Sequence, residues 1–426
     1  MKFLTSLRTS SALWASPFAL GLTLFYYTVG EGERNPASFG YAPTLVSESM
    51  APMYAFAYAV ASSLAAWEGG RLKAGGVWQL AATRSRVRIV ASALTPVLIL
   101  SWFMLILPVA IRLTSAGVSP TLDSLRPMVL ALILAAAHCT IGFSVGNILP
   151  RQIAAPVMAA AIFIVVAFSV STTPYWIRHV SGEYAEPLMF GELVSFTSMW
   201  PHLLFTGSLA IAALSLWLPA RSVIIRVALA AALAMTGMVT ARNLVAHWGP
   251  SEPVVIGAAP IECVGTHPKV CMPAATSVNL KDVHKDAISV LRDFRAAGVD
   301  PSPRVITDRL GDGRYYIKST KSTWRVNLTS GIAAKTIRYQ LVNAAIQFPC
   351  SRPDPETSRT VRMWAATVTG EKTAYKKQVE AQQEAFDTDL NKAAKIKKAV
   401  DGILKESTGR QAAWVSGQID DACGNK

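Results

Sequence analysis

Residues 89–111 read IVASALTPVLILSWFMLILPVAI, an unbroken apolar run without a single charged side chain. At about 1.5 Å of rise per residue such a run covers the roughly 30 Å hydrocarbon core of a bilayer as an α-helix. In lipid the backbone must satisfy its own hydrogen bonds, so the run has to be helical. Six further apolar stretches lie around it, at 11–29, 50–67, 128–149, 153–174, 201–220 and 222–244. All seven fall before residue 249, and the remainder of the chain is polar and basic. The first stretch follows Lys2 and Arg8 but continues through Phe25, Tyr26 and Tyr27 without a small-residue cleavage site. It therefore reads as a retained helix rather than a removed signal peptide.

Composition supports this division. The 426 residues are 51% hydrophobic, with a formal net charge of +14. Residues 1–248 contain 15 of the 41 Lys and Arg and 8 of the 27 Asp and Glu, so each part carries +7. Neither is a basic arm of the kind that binds nucleic acid. A basic outer domain is suited to anionic lipid head groups or cell-wall polymers, since unlike charges attract without specificity.

Lysine and arginine in short loops set orientation. One set of loops holds Lys2, Arg8, Arg71, Lys73, Arg84, Arg86, Arg88, Arg151, Arg221 and Arg226; the other holds Arg34, Arg112, Arg126, Arg178 and Arg242. The richer set should be cytoplasmic, which puts the N-terminus inside and, after seven spans, the tail outside. Cys139 sits in a span, whereas Cys263, Cys271, Cys350 and Cys423 all lie in the tail. An even number of cysteines in an outer domain implies two disulfides with three possible connectivities. A local Cys263–Cys271 loop with a Cys350–Cys423 staple is the preferred one. Their spacing does not suit zinc.

The expected fold is thus an all-α polytopic membrane domain of about seven transmembrane helices over 1–248, a Pro-rich linker over 249–262, and a mostly α, α+β extracytoplasmic domain over 263–426. Within the tail, periodicity predicts helices over 279–297, 332–346, 356–368 and 372–406. Short strands are expected at 304–306 and 315–317, around the Gly311-Asp312-Gly313 turn. Gly409 should end the long helix, and 411–422 then leads to the last cysteine. The chain has no phosphate-binding GxxxxGK[ST] loop, no HExxH and no nucleophile elbow. No catalytic residue, cofactor or metal ligand is expected. His267 and His284 are far apart in sequence, and the Asn327-Leu328-Thr329 triplet is discounted as a chance glycosylation signal. His138, inside the fourth stretch, should face a polar cavity or another helix, because a titratable group is costly in lipid.

The loop after the second span is the densest local signal: Trp67-Glu68-Gly69-Gly70-Arg71-Leu72-Lys73, then Trp78, then Arg84-Ser85-Arg86. Trp67, Glu68, Arg71, Lys73 and Trp78 suit a short amphipathic element at the membrane interface, able to dock a cytosolic partner. With the turn around Gly142–Pro156 and the aromatic segment Pro174–Pro201, this layout resembles permease subunits of bacterial ABC exporters of the second integral-membrane class. The loop looks most like those of actinobacterial members, some of which have a seventh span and a secreted-type C-terminal domain. Cys263, Cys271, Cys350, Trp414 and Cys423 are similar to the cysteine arrangement of that domain. The resemblance implies a bacterial cell-membrane protein, a separately encoded ABC ATPase docked on 67–88, and a second permease copy or paralogue completing the pore. It also implies short membrane-dipping helices between spans five and six. A membrane-anchored sensor or scaffold is the alternative.

Overall fold

A computed structural model describes residues 8–30, 39–79, 85–184, 186–217, 222–257, 259–315, 317–386 and 390–424. Lys2, Arg34, Arg84 and Arg221, which entered the loop-charge comparison, lie outside the described residues, as does the turn at 219–221. Two compact units divide at Gly257 and Ala258.

The first unit is helical: α1 (Ser11–Gly30), α2 (Ala42–Met50), α3 (Tyr54–Ala74), α4 (Arg86–Ser115), α5 (Arg126–Ile148), α6 (Arg151–Ala167), α7 (Phe196–Ser215) and α8 (Val223–Val245). A helix occurs at each of the seven apolar stretches. Among the described residues, five segments are long and apolar enough to cross a membrane: Ser11–Val29, Arg86–Ser115, Asp123–Ile148, Arg151–Ser171 and Val223–Val245. Helices α3 and α7 are not among them. The first ends in Glu68, Arg71 and Lys73 and is built largely of Ala, Ser and Gly. The second carries His202 among Ser and Thr. Both bury polar side chains inside the protein, so neither needs a wholly apolar surface.

Helix α3 is the centre of the unit and packs on α4, α5 and α6. Between helices in lipid there is no hydrophobic drive, so close van der Waals contact has to hold them, and small residues allow it. A Cβ on Gly142 would lie 2.0 Å from the Ser62 carbonyl oxygen, and one on Gly146 would lie 1.9 Å from that of Ala66. Gly142 and Gly146 thus form a small-xxx-small face on α5. On α3 itself, a Cβ on Gly70 would lie 2.6 Å from Cβ of Arg151. Outward-facing Trp14, Phe18, Ile224 and Met235 remain exposed, as suits side chains in contact with lipid. Between α6 and α7 the chain forms two short 3-10 helices, Ser169–Ser171 and Tyr175–Ile177, and then β1 (Glu192–Val194). Strand β2 (Val254–Ile256), after α8, pairs antiparallel with β1.

The second unit is α+β. Strands β3 (Ile261–Val264), β4 (Lys269–Pro273), β5 (Val305–Asp308) and β6 (Thr323–Val326) form a sheet in that order. The first pair is antiparallel and the other two are parallel. Helix α9 (Leu280–Ala296) connects β4 to β5 and buries Val283, Ala287, Val290, Leu291 and Phe294, the face its periodicity predicts. Of the strand expected at 315–317, residue 316 lies outside the described residues and neither 315 nor 317 is in a strand; β6 lies further on, where Trp324 and Val326 alternate inward. The helix expected over 332–346 is two, α10 (Leu328–Ala333) and α11 (Ile337–Ala345). They part at Lys335, whose φ of 55° cannot continue a right-handed helix. Helix α12 (Pro355–Val368) is followed by α13 (Lys372–Phe386), α14 (Leu390–Ile403) and α15 (Thr408–Gly424). Residues 387–389, in the expected long helix, lie outside the described residues. Trp364 is fully buried, and its indole N–H donates to Gln411 Oε1 at 3.0 Å.

Cysteine pairs Cys263–Cys271 and Cys350–Cys423 are at disulfide distance. Cys263 and Cys271 face each other directly across β3 and β4.

Two outcomes are expected. Substituting Gly146→Leu should destabilise the helical unit by more than the about 1–3 kcal/mol of an ordinary overpacked core site, because the obstacle is backbone. Thermal unfolding in detergent, with Gly207→Leu as an open-space control, checks this. Opening the staple with Cys350→Ser should cost about 4 kcal/mol and opening the hairpin with Cys263→Ser about 2 kcal/mol, since loop-closure entropy grows with loop length. The sequence separations are 73 and 8. Denaturant unfolding of each variant gives the order.

Candidate functional site

Helix α3 carries a polar cluster at each end. From Tyr54 to Lys73 it spans about 28 Å, close to the thickness of a hydrocarbon core.

At its C-terminal end lie all five residues expected to form an interfacial docking element. They do not form a separate amphipathic helix: Trp67, Glu68, Arg71 and Lys73 complete α3, and Trp78 follows in a turn. Glu68 is wholly buried. Its Oε1 accepts from the Ser11 backbone N–H at 2.8 Å and the Ser11 hydroxyl at 2.7 Å, at the start of α1. That places a carboxylate where a helix N-terminus has unpaired N–H groups and positive dipole. Arg71 pairs with Glu68 and donates to the Thr9 carbonyl. Lys73 Nζ donates to the Ile148 carbonyl at 2.9 Å, meeting an orphan acceptor at the end of α5. Trp78 Nε1 donates to Asn147 Oδ1 at 3.0 Å, and the Arg151 guanidinium lies 4.9 Å from the Trp67 ring centroid. Four helix ends are tied together here. Glu68 is spent internally, whereas Lys73 is exposed and Trp67, Arg71 and Trp78 are half-buried.

At the N-terminal end of α3, residues from five segments gather around Gly182, which has φ of 99°. Tyr58 donates to the Gly182 carbonyl at 3.2 Å, and the Gly182 N–H donates to His202 Nδ1 of α7 at 3.0 Å. His138 of α5 stacks on Tyr58 with ring centroids 4.9 Å apart. Neither of its ring nitrogens has a hydrogen-bond partner among the described residues. Beside them Glu252 lies between two imidazoles: His179 Nδ1 is 3.7 Å from Oε1 and His202 Nε2 is 3.6 Å from Oε2. All three side chains are at most 1% exposed. His179 Nε2 faces the Gly249 carbonyl at 2.9 Å.

Ring polarity argues against a metal here. A metal-binding imidazole donates through its second nitrogen. The second nitrogen of His202 instead accepts an N–H, so its Nε2 must carry the hydrogen. No group of three potential ligands suited to a metal ion occurs among the described residues.

Burial would raise the carboxyl pKa of Glu252, but the two imidazoles beside it, His179 and His202, outweigh burial and hold the group below its ordinary value. Glu183 goes the other way. Burial raises it from the ordinary 4.5 to about 7, with the Glu252 charge adding to the rise and Arg178 opposing it.

Of this cluster, only His138 was singled out from the sequence. His202 could have been found by the same logic, as a titratable residue inside a predicted span. Glu183, His179 and Glu252 lie in loops, and no local pattern marks them.

In the second unit a groove of about 340 Å³ lies between α9 and the α10–α11 junction. Val283, Ile332 and Ile337 line it together with Asp282, Asp286, Lys335, Arg338 and Glu371. Arg338 is held by Glu371 at 2.9 Å and Asp293 at 3.1 Å. Burial raises the pKa of Asp286 against the opposing charge of Arg338. The discounted Asn327-Leu328-Thr329 triplet begins α10, whose first N–H groups are met by buried Asp308, with Thr329 N–H donating to it at 2.9 Å. His284 of α9 is half-buried over Gly265.

Comparison of the chain with family models, curated proteins and solved structures finds no match.

Glu183 dictates a pH response. Between pH 4.5 and about 7 the folded state keeps a proton that the unfolded chain has released, so the contribution of Glu183 to stability is greatest below 4.5 and declines as pH rises towards 7. The Glu183→Gln variant should lose this decline. Midpoints of thermal unfolding from pH 4 to 8, compared with the parent, measure it.

Proposed function

We propose that this chain is the membrane subunit of an ATP-driven exporter, with small, lipid-like or antimicrobial compounds as cargo. A separately encoded ABC ATPase docks at the α3 end that carries Arg71, Lys73 and Trp78, and a second copy or a paralogue completes the pore. That end is cytoplasmic in this reading and the disulfide-bearing unit is extracytoplasmic. The chain is not itself an enzyme.

The observation that carries the reading is the rigid cationic and aromatic end of α3. Buried Glu68 braces it, and ties to α1, α5 and α6 connect it to the rest of the helical unit. A push on this end reaches three other helices directly, as a subunit driven by a motor protein requires. The two short 3-10 helices and β1 between α6 and α7 lend further support, since the resembled permeases carry short membrane-dipping helices there.

Purification of the tagged chain from its host in mild detergent should recover a nucleotide-binding ATPase in stoichiometric amount. The double variant Lys73→Glu, Arg151→Glu should lose at least nine-tenths of it while eluting as the parent does on size exclusion. Recovery of the chain without an ATPase overturns the reading. It would favour a membrane-anchored sensor or scaffold whose second unit binds envelope material, for which the α9 groove is the feature to test.

A further inference from the structure

The cluster around Glu252 has a hydrogen count that its geometry dictates. Gly182 N–H can only donate, so His202 Nδ1 is the acceptor and His202 Nε2 carries hydrogen towards Glu252 Oε2. The Gly249 carbonyl can only accept, so His179 Nε2 carries hydrogen and a neutral His179 would turn a bare Nδ1 towards Glu252 Oε1. Two lone pairs would then oppose each other inside the protein, beside a carboxylate with no compensating charge. An unpaired buried charge costs several kcal/mol. One added proton removes both faults: it gives the His179–Glu252 contact a donor and brings the triad to zero net charge. A second added proton would leave the triad positive.

We infer that His179 and Glu252 hold one exchangeable proton between them, and that this proton fastens residues 249–257 onto the helical unit. The three members come from three separate pieces of chain: the segment after Tyr175–Ile177, helix α7, and the stretch that follows α8. That last stretch is bound in two further ways. Trp248 packs edge-on against His179 with centroids 5.2 Å apart, and Val254–Ile256 pair with β1. With the proton in place Glu252 anchors the stretch; without it the same carboxylate repels the lone pair it faces. The other titratable groups of the neighbourhood are Arg178 and Glu183 from the 178–184 segment, Tyr54 and Tyr58 from α3, His138 from α5 and His247 at the end of α8. The charges that act on the Glu252 carboxyl are those of its two imidazoles. The clamp should therefore be tightest near neutrality. It weakens in acid as Glu252, held below its ordinary value by those imidazoles, takes up a proton of its own, and weakens in alkali as the shared proton leaves. The inference does not depend on what the chain transports.

Glutamine at position 252 tests this directly. Its amide N–H can donate to bare His179 Nδ1 while its carbonyl accepts from His202 Nε2, so the network closes with no bound proton. Hydrogen–deuterium exchange of the peptide spanning 245–257 would be followed in the full chain in detergent at pH 5, 7 and 9, normalised to intrinsic rates. Glu183→Gln serves as the common background, which removes the Glu183 proton from the comparison. In that background protection should be greatest at pH 7 and fall about tenfold per pH unit once the proton leaves. With Glu252→Gln added it should be equal at pH 7 and 9. With Glu252→Ala it should be low throughout. Unchanged protection of the background protein at pH 9, or an equal fall in the glutamine variant, overturns the inference. Should the glutamine variant not fold, nitrogen-15 histidine NMR of the parent decides, with His179→Gln assigning the signal. The His179 Nδ1 resonance is expected to shift between pH 7 and 9 as the shared proton leaves, and a resonance unchanged over that range overturns the inference.

Discussion

The approach of α5 to α3 at Gly142 and Gly146 is the contact on which the helical unit depends. The carbonyl oxygens of Ser62 and Ala66 occupy the space that a side chain would need. A larger residue at either glycine would push the helices apart. In lipid, no release of water would compensate for the lost contact, because the tails are as apolar as the side chains. This crossing sets what α3 can present at its two ends. It brings Tyr58 under His138 and Gly182 at one end, and Trp78 onto Asn147 of α5 at the other. Gly70 then lets α6 come close enough for Arg151 to reach Trp67.

Two buried carboxylates in the same unit show two ways of carrying a charge away from water. Glu68 is a closed site. It receives a backbone N–H, a hydroxyl and a guanidinium, all at short range, and its role is spent on holding the start of α1. Glu252 is an open one. Its two oxygens face imidazoles at 3.6–3.7 Å, beyond good hydrogen-bond distance, and the polarity of those rings is dictated by backbone groups behind them. A closed site resists change in protonation, whereas an open one responds to it. The first lies where the helices must be rigid. The second lies where the chain leaves the helices.

The second unit reaches stability by different means. Its sheet has only four strands, none longer than five residues, and the apolar core around Trp364 and Phe294 is assembled from helices well separated in sequence. The Cys350–Cys423 pair ties the start of α12 to the end of α15 and removes a long loop from the unfolded chain. Amphipathic α9 was legible because its apolar positions recur at steps of three and four. Strands β3 and β4 were not, because Cys, Pro and charged residues interrupt any alternation. The break between α10 and α11 also left no sequence signal, since the left-handed backbone falls on a lysine rather than a glycine.

The apolar runs by themselves determined that helices form at the apolar stretches before residue 249 and suit a membrane, because lipid leaves a backbone no other way to satisfy its hydrogen bonds. They determined equally that the four tail cysteines belong to one polar unit. Among the described residues five helices are long and apolar enough to cross a membrane, and hydropathy records how apolar a helix is, not whether lipid or protein surrounds it. Polar α3 and α7 find their partners inside the protein. The close helix crossing was written in the sequence as Gly142 and Gly146, four residues apart, but only the packing shows which helix they receive. The Glu252 cluster was decided by tertiary structure alone. Its members lie 73 residues apart along the chain, from 179 to 252, and what each ring nitrogen can do depends on backbone groups that only the fold brings to it.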